Sequence, residues 1–233
     1  EGQQEDVFKA ETRFAKEDGY GMLFTNGTGT GKTFTGLGVI KRFFTEGKHN
    51  IIIAVPNDKI AGDWQKAGTM LGLDISRLED TNSAGEGIII TTYSNYGQNN
   101  QLAHRNWDLI VHDEAHYLAM DKDGTNTLAL HALRALSLHP DGVSTRHSML
   151  YADDIARLTE LQTKLQDDEN NASLKAELNK AEVQHRETRE KVKNEVADNQ
   201  GNKRPRALFL SATPFAYVKT VDWANGYLFD YDE

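Results

Sequence analysis

Cysteine is absent from the 233 residues, which removes a disulfide framework, a thiolate zinc site, an iron–sulfur cluster and a cysteine nucleophile from consideration. Long apolar runs are missing too. The longest, such as Ile51 to Val55, fall far short of the ~20 residues that span a bilayer. No basic-then-apolar segment opens the chain, so the expectation is an intracellular, cytoplasmic protein with no membrane partner. Basic residues are the minority, 26 against 35 acidic, for a net charge of −9. Proteins that grip nucleic acid mainly through counterion release are usually basic, so tight free-standing DNA binding is not expected, although a few local backbone contacts remain compatible. What is present is length: one full domain with room for an appendage, able to bury about 70% of its unfolded surface without a staple.

Charge is unevenly spread. Residues 151–206 hold 12 acidic and 11 basic side chains. Within them apolar residues recur at three- and four-residue steps: Ala152, Ile155, Leu158, Leu161 and Leu165, then Leu174, Leu178, Ala181, Val192 and Val196. A narrow apolar seam among charges is a helix packed along one stripe. The turn formers Asp167-Asp168-Glu169-Asn170-Asn171 interrupt it. The pattern predicts two antiparallel helices over 145–168 and 172–198, an inserted hairpin across residues 145–198; a single long helix is the rival. The remaining residues, 1–144 and 199–233, form the main lobe. There, short β-branched or aromatic runs over 21–25, 50–55, 87–92, 107–112 and 207–210 alternate with helical patterns over 33–44, 59–71 and 125–138. Several of the runs are apolar throughout, as strands covered on both faces must be. The fold class expected is α/β, a parallel sheet flanked by helices, with ligands at the carboxyl ends of its strands.

The motifs fall at those ends. The strand ending at Phe24-Thr25 runs into Asn26-Gly27-Thr28-Gly29-Thr30-Gly31-Lys32-Thr33 and then an apolar helix. Glycines let backbone N–H groups turn inward around phosphate, and the helix N-terminus adds partial positive charge. Gly27, Thr28, Gly29, Thr30 and Gly31 would line such a cradle, Lys32 would bring an ammonium to the β- and γ-phosphates, and Thr33 a hydroxyl to Mg2+. The usual pattern has glycine where Asn26 stands. The strand over 107–112 leads into Asp113-Glu114-Ala115-His116, 81 residues beyond Lys32. A carboxylate directly after an apolar strand is where a phosphate-loop enzyme holds Mg2+, a role for Asp113. A neighbouring carboxylate, Glu114, can orient and deprotonate water. His112 and His116 flank a glutamate but not at the spacing of a zinc helix, where Glu directly follows the first His.

These residues resemble the first RecA-like lobe of superfamily two helicases. The loop at 26–33 is similar to that superfamily's motif I, and Asp113-Glu114-Ala115-His116 matches the DEAH form of motif II. Ser211-Ala212-Thr213-Pro214 matches motif III, the element that couples hydrolysis to movement. Val55-Pro56 stands where motif Ia would be, and Thr91-Thr92-Tyr93-Ser94 resembles the threonine motif that touches a nucleic-acid backbone. The resemblance implies a P-loop NTPase with ATP and Mg2+ as cofactors and Gln3 or Gln4 as the adenine reader, Gln4 being taken here. It implies His116, Ser211, Ala212 and Thr213 as coupling residues, and Pro56, Thr91 and Thr92 on the nucleic-acid side. Asp113–Leu118 and residues 210–215 resemble phage- and plasmid-borne helicases fused to methyltransferases, with strawberry-notch-type and type III restriction helicases as more distant relatives.

Motifs II and III lie 98 residues apart, a gap that the hairpin and the helix over 125–138 fill. The resemblance implies a second lobe with arginine fingers, expected to lie outside these residues, and such fingers supply ~10³–10⁵ in rate. The expectation is therefore a DNA-dependent ATPase, helicase or translocase lobe that binds nucleotide but turns it over slowly, with nucleic acid (DNA) and a second lobe as partners. The alternative is an ATP-switched binding module without unwinding. Lys203-Arg204-Pro205-Arg206 reads as a solvated lead into the last strand, and Trp64, Trp107 and Trp223 as packing residues.

Overall fold

The computed structural model describes residues 2–25, 30–80, 87–118, 125–211 and 224–228, without the side chains of residues 30, 80 and 125–127. Six strands, β1 (Gly21–Phe24), β2 (Ile51–Val55), β3 (Ile75–Arg77), β4 (Ile88–Thr92), β5 (Leu109–Asp113) and β6 (Arg206–Leu210), form one sheet in the order β1-β6-β5-β2-β4-β3. Every pairing is parallel, so the α/β expectation holds. The register aligns the carboxyl ends: Phe24 opposite Leu210, Leu210 opposite Asp113, Val55 opposite Thr92. Among the described residues, Lys32, Asp113, Glu114 and Ser211 therefore meet along one edge.

The continuously apolar strands are explained by two cores. Ile52, Ala54, Ile89, Ile110, Ala207 and Phe209 face one side, where they meet α4 (Tyr93–Gln98) and α5 (Thr125–Leu136). Ile51, Ile53, Val55, Ile88, Ile90, Val111 and Leu208 face the other, against α1 (Gly2–Phe14), α2 (Thr30–Thr45) and α3 (Asp58–Met70). Successive side chains alternate sides, so a strand buried on both faces shows no polar alternation.

The hairpin region differs from the expected single first arm. The predicted helix over 145–168 is two helices, α6 (Val143–Leu150) and α7 (Ala152–Asp167), with Tyr151 between them at φ −122° and ψ 36°, outside helical geometry. After residues 168–171, α8 (Ala172–Asp198) returns. Arg146 pairs with Glu195, His147 with Thr188, and Arg157 with Glu177. Partner numbers fall as the first number rises, which is the antiparallel register. Leu138, Val192 and Val196 form a small third core that seats the base of α8.

Three elements were not expected from sequence: α1, β3 and α4. The basic cluster is a correction. Arg204 and Arg206 are buried rather than solvated, because their guanidiniums donate to Ser137, Gly226, Gly201, Phe14 and Lys16 carbonyls and lie over the Tyr20 ring. Among the described residues no helix is long and apolar enough to cross a membrane.

Candidate functional site

Helix α2 begins at Thr30, so Gly31, Lys32 and Thr33 occupy its first turn, where free N–H groups and the helix dipole favour an anion. Asn26, Gly27, Thr28 and Gly29 lie outside the described residues, as does the side chain of Thr30. Thr35 closes the first turn by donating its hydroxyl to the Gly31 carbonyl at 3.1 Å. From α1 it is Gln3 rather than Gln4 that reaches this turn, its amide 3.5 Å from the Gly31 carbonyl.

Lys32 is only 3% exposed, and its Nζ donates to Glu114 Oε1 at 3.0 Å. The two residues sit at the ends of different elements, α2 and β5, and only the parallel register brings them together. The other Glu114 oxygen stands 3.4 Å from His116 Nδ1. That same imidazole nitrogen lies 2.9 Å from Ser211 Oγ. A chain of polar contacts thus runs Lys32, Glu114, His116, Ser211 across the carboxyl ends of the sheet. Ala212 and Thr213 lie outside the described residues.

Glu114 has φ +52°, a left-handed conformation that a non-glycine residue adopts at a cost of ~1 kcal/mol or more. Its own N–H donates to Asp113 Oδ1 at 2.9 Å, which helps to hold the bend. The bend lets Asp113 turn inward while Glu114 turns to Lys32. Asp113 is nearly buried, and the Trp64 indole Nε1 donates to its Oδ2 at 2.8 Å. Burial pushes the Asp113 carboxyl above its usual range, against the opposing Trp64 hydrogen bond. The Tyr93 hydroxyl donates to the Asp113 carbonyl at 2.6 Å, and burial, then the nearby Asp113 charge, drives its phenol well above the usual value. Tyr93 therefore stays a donor.

From the sequence, Trp64 reads as a packing residue and Tyr93 only as a member of the threonine motif, with no role of its own. Both partners are distant in sequence, 49 and 20 residues away, so spacing carried no sign of them. A signal existed in kind: an indole inside a largely polar helix, and a tyrosine directly after an apolar strand.

His112 and His116 diverge. His112 is buried in the sheet with Nε2 against the Tyr96 hydroxyl at 3.2 Å, while His116 turns to Ser211. On the expected nucleic-acid side, Pro56 is half-buried at the bend before Asn57, whose side chain caps α3 by accepting from Ile60 N at 3.0 Å. Thr92 caps α4, its hydroxyl accepting from Asn95 N at 3.5 Å. Thr91 is a correction. It is 1% exposed because the strand's alternation turns it into the sheet's packed face, and its hydroxyl has no partner among the described residues. Its side chain offers no surface to nucleic acid.

The family model described as type III restriction enzyme, res subunit, matches residues 1–138. That span includes the phosphate loop and the acidic strand end. Among solved structures, the SWI2/SNF2 ATPase core of Sulfolobus solfataricus in complex with dsDNA is similar at a TM-score of 0.45 and 19% identity. The likeness covers 56% of this chain and 28% of that one. No curated protein matches.

Proposed function

The chain belongs to the type III restriction enzyme, res subunit, family, and on that footing we propose that it is the Mg-ATP-binding lobe of a nucleic-acid-dependent helicase or translocase of superfamily two. The observation that carries this reading is the Lys32–Glu114 pair at 3.0 Å, an ammonium from the phosphate loop and a carboxylate from the acidic strand end.

The residues present fit Mg2+. A hard cation takes oxygen donors and keeps several waters. Asp113 offers a carboxylate whose ionised form already accepts two hydrogen bonds, from Trp64 and Glu114 N, and Thr33 offers a half-buried hydroxyl in the first turn of α2. When bound, the ion neutralises charge on the β- and γ-phosphates. This chain's own residues do the rest. Gly31, Lys32 and Thr33 receive the phosphates with helix N–H groups, and Lys32 exchanges its Glu114 partner for phosphate oxygen. That exchange frees Glu114 Oε1 to orient a water in line with the γ-phosphorus and take its proton. Ser211 contacts His116 and His116 contacts Glu114, so a second lobe pressing on the Ser211–Thr213 element can act on the same carboxylate. Nucleic acid would lie along Pro56 and Thr92.

The reading is tested by calorimetric titration of Mg-ATP into this chain and into Lys32→Ala, with circular dichroism to establish that both are folded. Micromolar binding lost by at least ~100-fold in the variant is expected, since removing a charge-assisted partner of phosphate costs about 3 kcal/mol. Equal affinities in the two folded proteins, or none in either, would overturn it.

A further inference from the structure

Trp64 is fully buried, and its indole touches two parts of the proposed nucleotide site. Its Nε1 donates to Asp113 Oδ2 at 2.8 Å. Its six-membered ring lies so close to α2 that a Cβ placed on Gly36 would stand 2.7 Å from the indole Cη2 and 3.0 Å from Leu210 Cδ1. Gly36 is one helical turn beyond Lys32. The indole is therefore wedged between the helix that carries the ammonium and the strand end that carries the carboxylate.

The helix holding Trp64 is itself braced. Asn57 caps α3. Arg77 on β3 donates to Asp58 Oδ1 at 3.0 Å, to the Asp58 carbonyl at 2.8 Å and to Gln65 Oε1 at 3.0 Å. Gln65 donates to the Ile75 carbonyl at 2.9 Å. These contacts fix the residues on either side of Trp64, and so the direction of its N–H. The helix opens directly after Pro56.

We propose that Trp64 is a positioning residue for the Mg2+ site: its N–H fixes the rotamer of Asp113 and leaves that carboxylate aimed at the metal, so the helix beginning beside Pro56 sets the geometry of the metal-holding group. This rests on the reading of Asp113 as a magnesium residue. A hydrogen-bond donor behind a metal-holding carboxylate typically changes metal affinity by ~10–100-fold, whereas an indole that merely fills space changes only stability.

The test compares ADP binding by the wild-type chain and Trp64→Phe, each with magnesium and with excess chelator. The phenyl ring keeps much of the packing and removes the donor. The expected result is Mg-free ADP affinity within about twofold of wild type and a magnesium-dependent gain reduced by ~10-fold. An unchanged magnesium-dependent gain overturns the proposal while leaving the functional reading intact. A wild-type chain that gains nothing from magnesium overturns the functional reading, and this inference with it. Should Trp64→Phe fail to fold, the indole N–H of wild-type Trp64 is followed by NMR, identified by elimination with Trp107→Phe and Trp223→Phe. Its signal is expected to move further with Mg-ADP than with ADP and chelator; identical shifts overturn the proposal.

Discussion

His112 shows what a single buried side chain does to the whole. It precedes Asp113, is packed against Tyr93, Tyr96 and Phe209, and is held neutral by burial, with its pKa down from 6.5 to about 3. The unfolded chain takes up this proton first as pH falls, so the stability it represents is complete above about 6.5 and drains away toward about 3. His139 and His147 are also lowered by burial and act in the same direction. Asp113 works oppositely: its carboxyl is raised from 3.8 by burial, so its contribution is present in acid and is lost as pH rises through the raised value. Urea unfolding at about pH 7 and about pH 5 should differ by at least ~2 kcal/mol, and His112→Phe should remove about that much of the difference. A profile unchanged by the substitution would mean His112 is not the proton acceptor. Residue types at strand ends were legible from sequence because their chemistry is local: Lys32, Asp113 and Glu114 stand in fixed relation to their own elements. The states of Arg204 and Trp64 were not. A basic run reads as solvated until the fold turns backbone carbonyls toward it, as Ser137, Gly226 and Gly201 are turned toward Arg204 and Arg206.

At the scale of elements, apolar periodicity located the main strands and helices to within a few residues, since burial on both sheet faces leaves a mark on composition. It missed α1, whose buried residues are only Ala10 and Phe14, and β3, whose three residues are too short for a pattern. The break at Tyr151 was hidden because the seam runs through it: Met149 and Leu161 are both buried, and only the backbone marks the joint. Beyond that joint, α7 and α8 are held by little. The ion pairs of Arg157 with Glu160 and Glu177, and of Lys164 with Glu160, are about half-exposed and individually worth ~0–1 kcal/mol. Leu161 is the buried side chain of α7. Leu161→Ala should therefore cost about 2–3 kcal/mol locally and speed amide exchange in α7 and the facing part of α8 by ~30–150-fold. Nucleotide affinity should not change, because the hairpin is seated on the lobe through Val192 and Val196 against Leu138 and through Arg146, which donates to the Ala135 carbonyl at 3.3 Å. Exchange confined to its wild-type rate would show that α7 is secured by other contacts.

For the molecule as a whole, the parallel sheet brings the described motif residues Lys32, Asp113, Glu114 and Ser211 to one edge, while charge is densest in the stretch 151–206. A net charge of −9 opposes any long polyanion, so binding nucleic acid must depend on a few contacts. On the proposed face near Pro56 and Thr92, the backbone group on offer is the N-terminus of α3, and a phosphate held by backbone N–H groups would release few counterions. Among the described residues the basic groups there are Lys59, which is exposed, and Arg77, which is already paired with Asp58 at 3.0 Å. Only phosphates neutralised by Lys or Arg enter the salt slope, ~0.7–0.9 per phosphate. Fluorescence anisotropy with a labelled oligonucleotide should therefore give weak binding whose logarithm falls with log salt by a slope of only about 1–2. Lys59→Ala should take away about one unit of it. A slope of ~6 or more would mean that a broad basic surface elsewhere on the chain carries the contact, and the edge at Pro56 and Thr92 would lose its place as the nucleic-acid face.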